Sequence, residues 1–474
     1  MSRYVLDVPS MMITDEFSIG RLTIDMLSDD VLLYIFDLYR QESKEVNDVW
    51  PWHALVHVCQ RWRHVIFAFP HHLDLQLDCG SGTAVAKALD IWPANLLINL
   101  RSDLHLENGD DIVAALGHRD RIAGIDMSCR TMLQLEKCTT VMQEPFPVLR
   151  TLFLGRDEKD SDAPVVSDAF LGGSAPRLQM IELRCVPFPT LPKLLLSTTD
   201  VVLLNLEEIT NAGYISPEAL ATCLSMLKRL ECISISFQSL GSFPSLTHRP
   251  PPPLTRAVFP ALRTFVFEGF SDYSEDLIAR IGTPLLSTFS LNFFYQPILD
   301  IPQVPQFLRS VEKFKPPLTA DIHFSDFTIV ASFDSPGCDF FLRSHCTGLD
   351  RQLLLLEQIY TQCLSHTSHV NHLKLSREYT SEPWQQDFAL WLEFLRPFNA
   401  VQILNVTDVG LEADIAYVLG GLTAERAAEV LPMLHTVMLH EPEEIEPLVT
   451  HLLRPFIDAR RLSDHPVAVS RMPQ

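Results

Sequence analysis

Two histidines four residues apart, in His53-Ala54-Leu55-Val56-His57, have the one-turn helical spacing at which paired imidazoles hold zinc. Zinc-dependent peptide hydrolysis also needs a general base, a glutamate directly after the first histidine, and that position is Ala54. His57 stands among apolar neighbours, and a structural histidine is the simpler reading. His345-Cys346 sets a base beside a thiol, but adjacent side chains seldom face each other and no third group orients the pair. The glycine clusters Gly80-Ser81-Gly82 and Gly172-Gly173-Ser174 build neither a nucleophile elbow nor a phosphate loop, and read as turns. Glu441-Pro442-Glu443-Glu444-Ile445-Glu446 reads as a solvated acidic face. The ten cysteines are scattered, with no CxxC pair, which fits reduced thiols better than a disulfide framework or a metal cage. No catalytic set, metal ligand set or cofactor site is expected.

The informative spacing belongs to apolar residues, and two short helices must position them. In Leu27-Ser28-Asp29-Asp30-Val31-Leu32-Leu33-Tyr34-Ile35-Phe36, Ser28 is suited to cap free N–H groups, and Asp29 and Asp30 fall in the first turn, where negative charge is favoured. Leu32, Ile35, Phe36 and Tyr39 then recur at helical spacing. A second helix is expected after Pro51, with Leu55, Val58, Cys59 and Trp62 along one face. Two short helices this apolar cannot bury both stripes on each other, so a partner is implied.

These residues resemble an F-box, whose pattern opens Leu-Pro, continues to Ile-Phe and closes Val-Cys-x-x-Trp. The matching positions are Leu27-Ser28, Ile35-Phe36 and Val58-Cys59-Gln60-Arg61-Trp62. The stretch through Asp90-Ile91-Trp92-Pro93 is similar to fungal F-box proteins, so the resemblance covers about the first 95 residues. Ser28 departs from it, standing where proline is usual. The resemblance implies a module that docks a Skp-family adaptor and, through it, the cullin of a ubiquitin ligase. Leu27, Ser28, Val31, Leu32, Ile35, Phe36, Leu55, Val58, Cys59 and Trp62 would carry that contact or the core behind it. The alternative is a non-catalytic repeat scaffold whose F-box is vestigial or serves outside a ligase.

With 37 basic and 59 acidic residues, the 474-residue chain carries a net charge of −22. That charge opposes nucleic-acid binding, which rests on neutralising phosphates, and adhesion to anionic membranes. A basic protein target is the natural complement. No secretory signal opens the chain and no apolar run is long enough to span a bilayer, so an intracellular protein, cytoplasmic or nuclear, is expected.

After the helical module comes a recurring tag, Pro-x-Leu-x-x-φ-x-φ with φ apolar. Copies begin at Pro147, Pro176, Pro260, Pro284 and Pro432, and others lack the proline, as in Ile122-Ile125-Met127, Val201-Leu204-Leu206, Leu230-Ile233-Ile235, Val370-Leu373-Leu375 and Val401-Leu404-Val406. Successive anchors lie 27, 29, 23, 29, 32 and 24 residues apart up to Leu286, with later intervals of 31 and 33. A short alternating strand at this period resembles leucine-rich repeats, in which stacked neighbours bury what one repeat cannot. The asparagine or cysteine that normally bonds the following loop is replaced by Asp157, Val186, Ile209, Gln238, Phe270 and Phe294, so the repeats are expected to be irregular. Between Leu291 and Val370 no clean tag appears, although Ile322-His323-Phe324 and Phe340-Phe341-Leu342 fit degenerate strands. Helices are expected at Ser216–Leu227 and at about Pro383–Phe394. The expected class is α/β: a tail at 1–20, a helical F-box at 21–75, a connecting cap at 76–118, an irregular repeat solenoid at 119–460 with a proline-rich insertion at 241–256, and a disordered tail at 461–474.

Overall fold

Alternation of apolar and polar residues decides the larger part of the fold. In a computed structural model, which describes residues 24–43, 55–69, 75–79, 85, 89, 96–103, 110–157, 164–238, 256–295, 301–362, 369–378, 388–440 and 446–471, every tag forms a strand. The chain divides into two units, one comprising residues 1–76 with 95–97 and the other the remainder.

Among the described residues the first unit holds two α-helices, α1 (Asp29–Ser43) and α2 (Gln60–Ala68), with a 3-10 turn at Ile24–Met26 before them and a short helical turn at Leu55 and Val56 between them. Ser28 Oγ accepts from Val31 N at 3.4 Å, as its capping role requires. Cys59 caps α2 in the same way, its sulfur accepting from Trp62 N at 3.4 Å.

Among the described residues the second unit is built on a 16-stranded sheet, begun by β1 (Leu75–Asp78), whose first two residues the division leaves in the first unit, and β2 (Ile98–Asp103). In chain order there follow α3 (Asp110–Leu116), β3 (Ile122–Cys129), α4 (Met132–Val141), β4 (Thr151–Arg156), β5 (Met180–Arg184), α5 (Leu191–Leu195), β6 (Leu203–Ile209), α6 (Pro217–Leu224) and β7 (Cys232–Phe237). A two-stranded parallel pair, β8 (Ala257–Val258) with β10 (Ile281–Gly282), flanks β9 (Thr264–Gly269) and α7 (Ser271–Arg280). Then come β11 (Thr288–Phe293), α8 (Gln303–Ser310), β12 (Thr319–Phe324), β13 (Thr328–Asp334), β14 (Asp339–His345) and α9 (Leu349–Gln362). The chain continues with β15 (His372–Arg377), α10 (Phe388–Leu395), β16 (Ile403–Val406), α11 (Val409–Gly420), α12 (Ala424–Ala427), β17 (Thr436–Leu439), α13 (Glu446–Leu462) and β18 (Ala468–Arg471). The unit is therefore a mixed α/β repeat protein with a long parallel sheet, like a leucine-rich-repeat solenoid.

Register makes the core continuous. Ile125, Leu152, Ile181, Leu204, Ile233, Phe265, Phe289 and Phe340 stand side by side on eight neighbouring strands, each at most 2% exposed. Helices α5 to α10 supply the other side of this core through residues such as Leu194, Leu220, Leu277, Phe307, Leu356 and Trp391. The alternate strand positions, on the opposite face, remain half-exposed. Burying one such apolar side chain contributes about 1.5–3 kcal/mol, so an unbroken column is the dominant stabilising term.

Where no tag is legible, the sheet changes order to β11-β14-β13-β12-β15. β14 runs parallel to β11, β13 is antiparallel to both its neighbours, and β12 is parallel to β15. The two degenerate strands are present, and a third, β13, lies between them. It alternates Ile329, Ala331 and Phe333 into the core, and Phe340 stacks on both Phe333 and Phe289 at centroid distances of 5.8 and 5.5 Å.

The missing asparagine ladder is replaced by backbone links and by solitary buried polar groups. Asp157, Gln238 and Phe294, at the vacated positions, donate their N–H to Cys129, Ile209 and Gly269 carbonyls. Glu275 accepts from Gln303 and Val304 N–H at the start of α8, Glu412 accepts from His440 N–H, and Gln352 donates to the Ser325 and Cys346 carbonyls. Arg460, 1% exposed, donates to the carbonyls of Leu431, Pro432 and Leu434.

One expectation is corrected, and others lie wholly or partly outside the described residues. Residues 468–471, placed in a disordered tail, form β18 on the sheet edge, because Val469 falls in register with Val437. The helix expected from Pro383 is described only as α10, with Trp391, Phe394 and Leu395 buried. The N-terminal tail and residues 241–255 of the proline-rich insertion are outside the described set.

Replacing Arg460 by methionine keeps the bulk and leaves the Pro432 and Leu434 carbonyls without their donor, while the Leu431 carbonyl keeps Leu434 N–H. Stability should fall by about 2–4 kcal/mol, read from denaturant unfolding followed by circular dichroism.

Candidate protein-interaction surfaces

The helix pair separates the residues singled out from sequence into two groups. Leu32, Phe36 and Leu55 are buried, together with Leu33, Val56, Val65 and Ile66. Phe36 packs on Trp62 with ring centroids 4.8 Å apart. Arg61 Nη2 donates to the Leu27 carbonyl at 2.6 Å and to Asp29 Oδ1 at 2.8 Å, and Arg63 Nε donates to the Val56 carbonyl at 3.0 Å. These contacts set the two helices against each other. Leu27, Ile35, Cys59 and Trp62 are half-buried, and Ser28 is exposed.

Facing away from that core is a second apolar stripe. Val31 is 43% exposed, Tyr34 65% and Leu38 48%, at i, i+3 and i+7 of α1, and Val58 is 57% exposed just before α2. At 100° per residue the three α1 positions share one side, opposite Leu32 and Phe36. Tyr34 and Leu38 are not among the residues that the F-box resemblance singles out. The signal for them was present, since Val31, Tyr34 and Leu38 have helical spacing of their own. An apolar stripe on each side of one short helix is what a surface with an inward and an outward partner requires.

The larger unit offers its open sheet face. Charged side chains there occur singly or in exposed pairs, such as Lys374 with Asp321 at 2.8 Å and Arg101 with Asp126 at 3.9 Å. Exposed pairs of this kind are worth little to stability, so they are available to a partner. Glu182, Glu207 and Glu268 add negative charge across β5, β6 and β9.

The residues that could have done chemistry are dispersed or buried. Among the described residues no group of three or more His, Cys, Asp or Glu side chains is placed to hold a metal ion. His57 is exposed, while His53 and the Gly80–Gly82 cluster lie outside the described residues. Gly172 and Gly173 are a turn with φ of 68° and 70°, and a side chain at Gly172 would meet the Pro145 ring at 2.6 Å. Nine cysteines are described and all are free thiols. Burial pushes the Cys185 and Cys223 thiols up to about 12 and that of Cys338 to about 11, with the Glu208 carboxylate also acting on Cys185. Burial likewise raises Cys346, which makes it a poor nucleophile beside His345. No described helix is long and apolar enough to cross a membrane.

No family model and no curated protein sequence matches the chain. A solved structure that it does resemble is the leucine-rich repeat-containing protein LegL7 from Legionella pneumophila. The match has 12% sequence identity and a TM-score of 0.25, covering 81% of this chain and 97% of that one.

Two measurements separate core from surface. Phe36→Ala should cost about 3–5 kcal/mol, whereas Tyr34→Ala should change stability by less than about 0.5 kcal/mol, both from denaturant melts. With buried, protonated thiols, a disulfide-exchange reagent at mildly alkaline pH should modify Cys185, Cys223 and Cys338 only once denaturant is added, as peptide mass mapping would show.

Proposed function

We propose that this chain is a substrate-recognition subunit of a Skp–cullin–F-box ubiquitin ligase. The helix pair docks the Skp-family adaptor, and the repeat unit holds a target protein. The observation that carries the reading is the outward stripe of Val31, Tyr34 and Leu38 with Val58, on helices whose inward stripe is already satisfied. The match of Leu27, Ile35-Phe36 and Val58-Cys59-x-x-Trp62 to the F-box pattern supports the same partner. Ser28 departs from the pattern without loss to the helix, because its hydroxyl caps α1 where proline would have no side-chain acceptor.

The chain would contribute no reacting group of its own. Its effect on rate would be effective concentration: holding the target near the ubiquitin-charged enzyme makes encounter of lysine and thioester intramolecular. Repeats suit that task, since an extended sheet face provides a rigid surface whose residues vary independently of the core.

Phe36 is unsuited to testing this, because a charge there would unfold the helix pair. The clean variant is Val31→Glu with Tyr34→Glu and Val58→Asp. It should lose at least about tenfold in co-purification of the Skp-family adaptor, with its circular dichroism spectrum unchanged. Wild-type protein that fails to retain the adaptor would leave a repeat scaffold without a ligase.

A further inference from the structure

The tag preceding each strand has outward positions that the core does not constrain, and their charge is not that of the chain. Over Pro147–Arg150, Pro176–Gln179, Thr199–Val202, Lys228–Glu231 and Pro260–Arg263, five cations stand against two anions, in a protein whose net charge is −22. The cations are Arg150, Arg177, Lys228, Arg229 and Arg263, all exposed; the anions are Asp200 and Glu231.

Register brings them to one edge. Thr151 pairs with Met180, Met180 with Leu203, Leu203 with Cys232 and Cys232 with Thr264, so the residues before these strands all lie at the same end of a parallel sheet. The edge is closely knit, since Arg263 N donates to the Glu231 carbonyl and Gln179 N to the Arg150 carbonyl. Arg229 pairs with Asp200 at 3.2 Å, in an exposed geometry that a competing anion readily displaces. Arg150, Arg177, Lys228 and Arg263 make no ion pair among the described residues. At the opposite end of the same strands Asp157, Glu207, Glu208, Glu268 and Asp272 outnumber the buried Arg156 and the half-buried Arg184, so the sheet is polarised along its strands.

We infer that the strand-start edge over β4, β5, β6, β7 and β9 is a docking surface for an acidic polypeptide segment. Four strand intervals separate β4 from β9 in the sheet order, roughly 19 Å, which about six residues of extended peptide would span. Arginine is suited to the role, because its fork engages a carboxylate through two parallel hydrogen bonds. A long polyphosphate fits less well. It would project beyond the ridge over acidic surface and meet the repulsion of the whole chain, whereas a short segment keeps its charges within a Debye length, about 8–10 Å, of the arginines. The site shares no residue with the adaptor surface, and would give the proposed receptor a second point of hold on its target.

The test uses the full chain and a short fluorescent peptide of alternating glutamate and serine, with binding followed by anisotropy. Wild type should bind at low salt and release at high salt. Arg150→Glu with Arg177→Glu and Arg263→Glu should weaken binding at least about tenfold, and the glutamine triple should fall between. Unchanged melting of the glutamine triple guards against misfolding of the charge-reversed one. Equal binding by wild type and both triples, or no binding by wild type, overturns the inference. Tighter capture of a single-stranded polynucleotide of equal charge, lost in the same variants, overturns the choice of occupant. Both triples should still co-purify the Skp-family adaptor, so failure here and failure of the receptor reading are told apart.

Discussion

The column of apolar side chains that runs across the sheet is the constraint on which everything else in the larger unit depends. One strand with its loop or helix cannot bury its own inward face; Ile181 is covered because Leu152 and Leu204 stand beside it. A strand therefore gains its place from its neighbours, and a missing inward residue would be felt on both sides. This explains why the tag tolerates loss of its proline, changes in period and wide variation at outward positions. The φ positions alone are held. It also explains the shift from leucine and isoleucine to phenylalanine near the centre, where Phe265, Phe289 and Phe340 continue the column and Phe307 of α8 packs on Phe289 at 5.1 Å.

A regular repeat satisfies its loops with one side chain used many times, and this chain does so with a different group at each loop. Arg460, Glu275, Glu412 and Gln352 are buried at places where backbone groups would otherwise lack partners. Such groups carry a desolvation cost, which the bonds they make offset only in part, since Arg460 Nε and Nη1 and Gln352 Oε1 are buried without a hydrogen-bond partner among the described residues. Each loop can thus take its own length and course, at the expense of a residue that no other loop can replace. Arg377, bridging Asp408 Oδ1 at 3.1 Å and Asp414 Oδ2 at 3.5 Å, fastens α11 to β15 by the same device.

The strands were readable because alternation and period repeat a single physical demand. β13 was missed although Thr328–Asp334 alternates as well as any tag, since it lacks the leading Leu-x-x spacing and reverses direction. The acidic and basic members of the buried set looked like surface charges, because nothing local in sequence distinguishes Arg460 from Arg461. In the helical unit the difficulty was the opposite one. α1 is apolar on both sides, so periodicity located a helix without saying which stripe faces inward, and Leu32 and Phe36 were grouped with Val31. Packing against Trp62 settles it, and that contact joins residues too far apart in sequence for any window to register.

The detour at β12–β13–β14 has a consequence for how the chain comes together. β11 finds its neighbour in β14 and not in the next strand to be synthesised, while β12 waits for β15. During synthesis the block ending at β11 therefore presents a row of unpaired N–H and C=O groups until residue 344 has emerged. The meander β12–β13–β14 is local in sequence, and local pairings form before distant ones. It would assemble as a unit and then dock through β14, closing an edge that is otherwise free to pair with another chain. The centre of this sheet, and not its ends, is thus where folding is most exposed to misassembly.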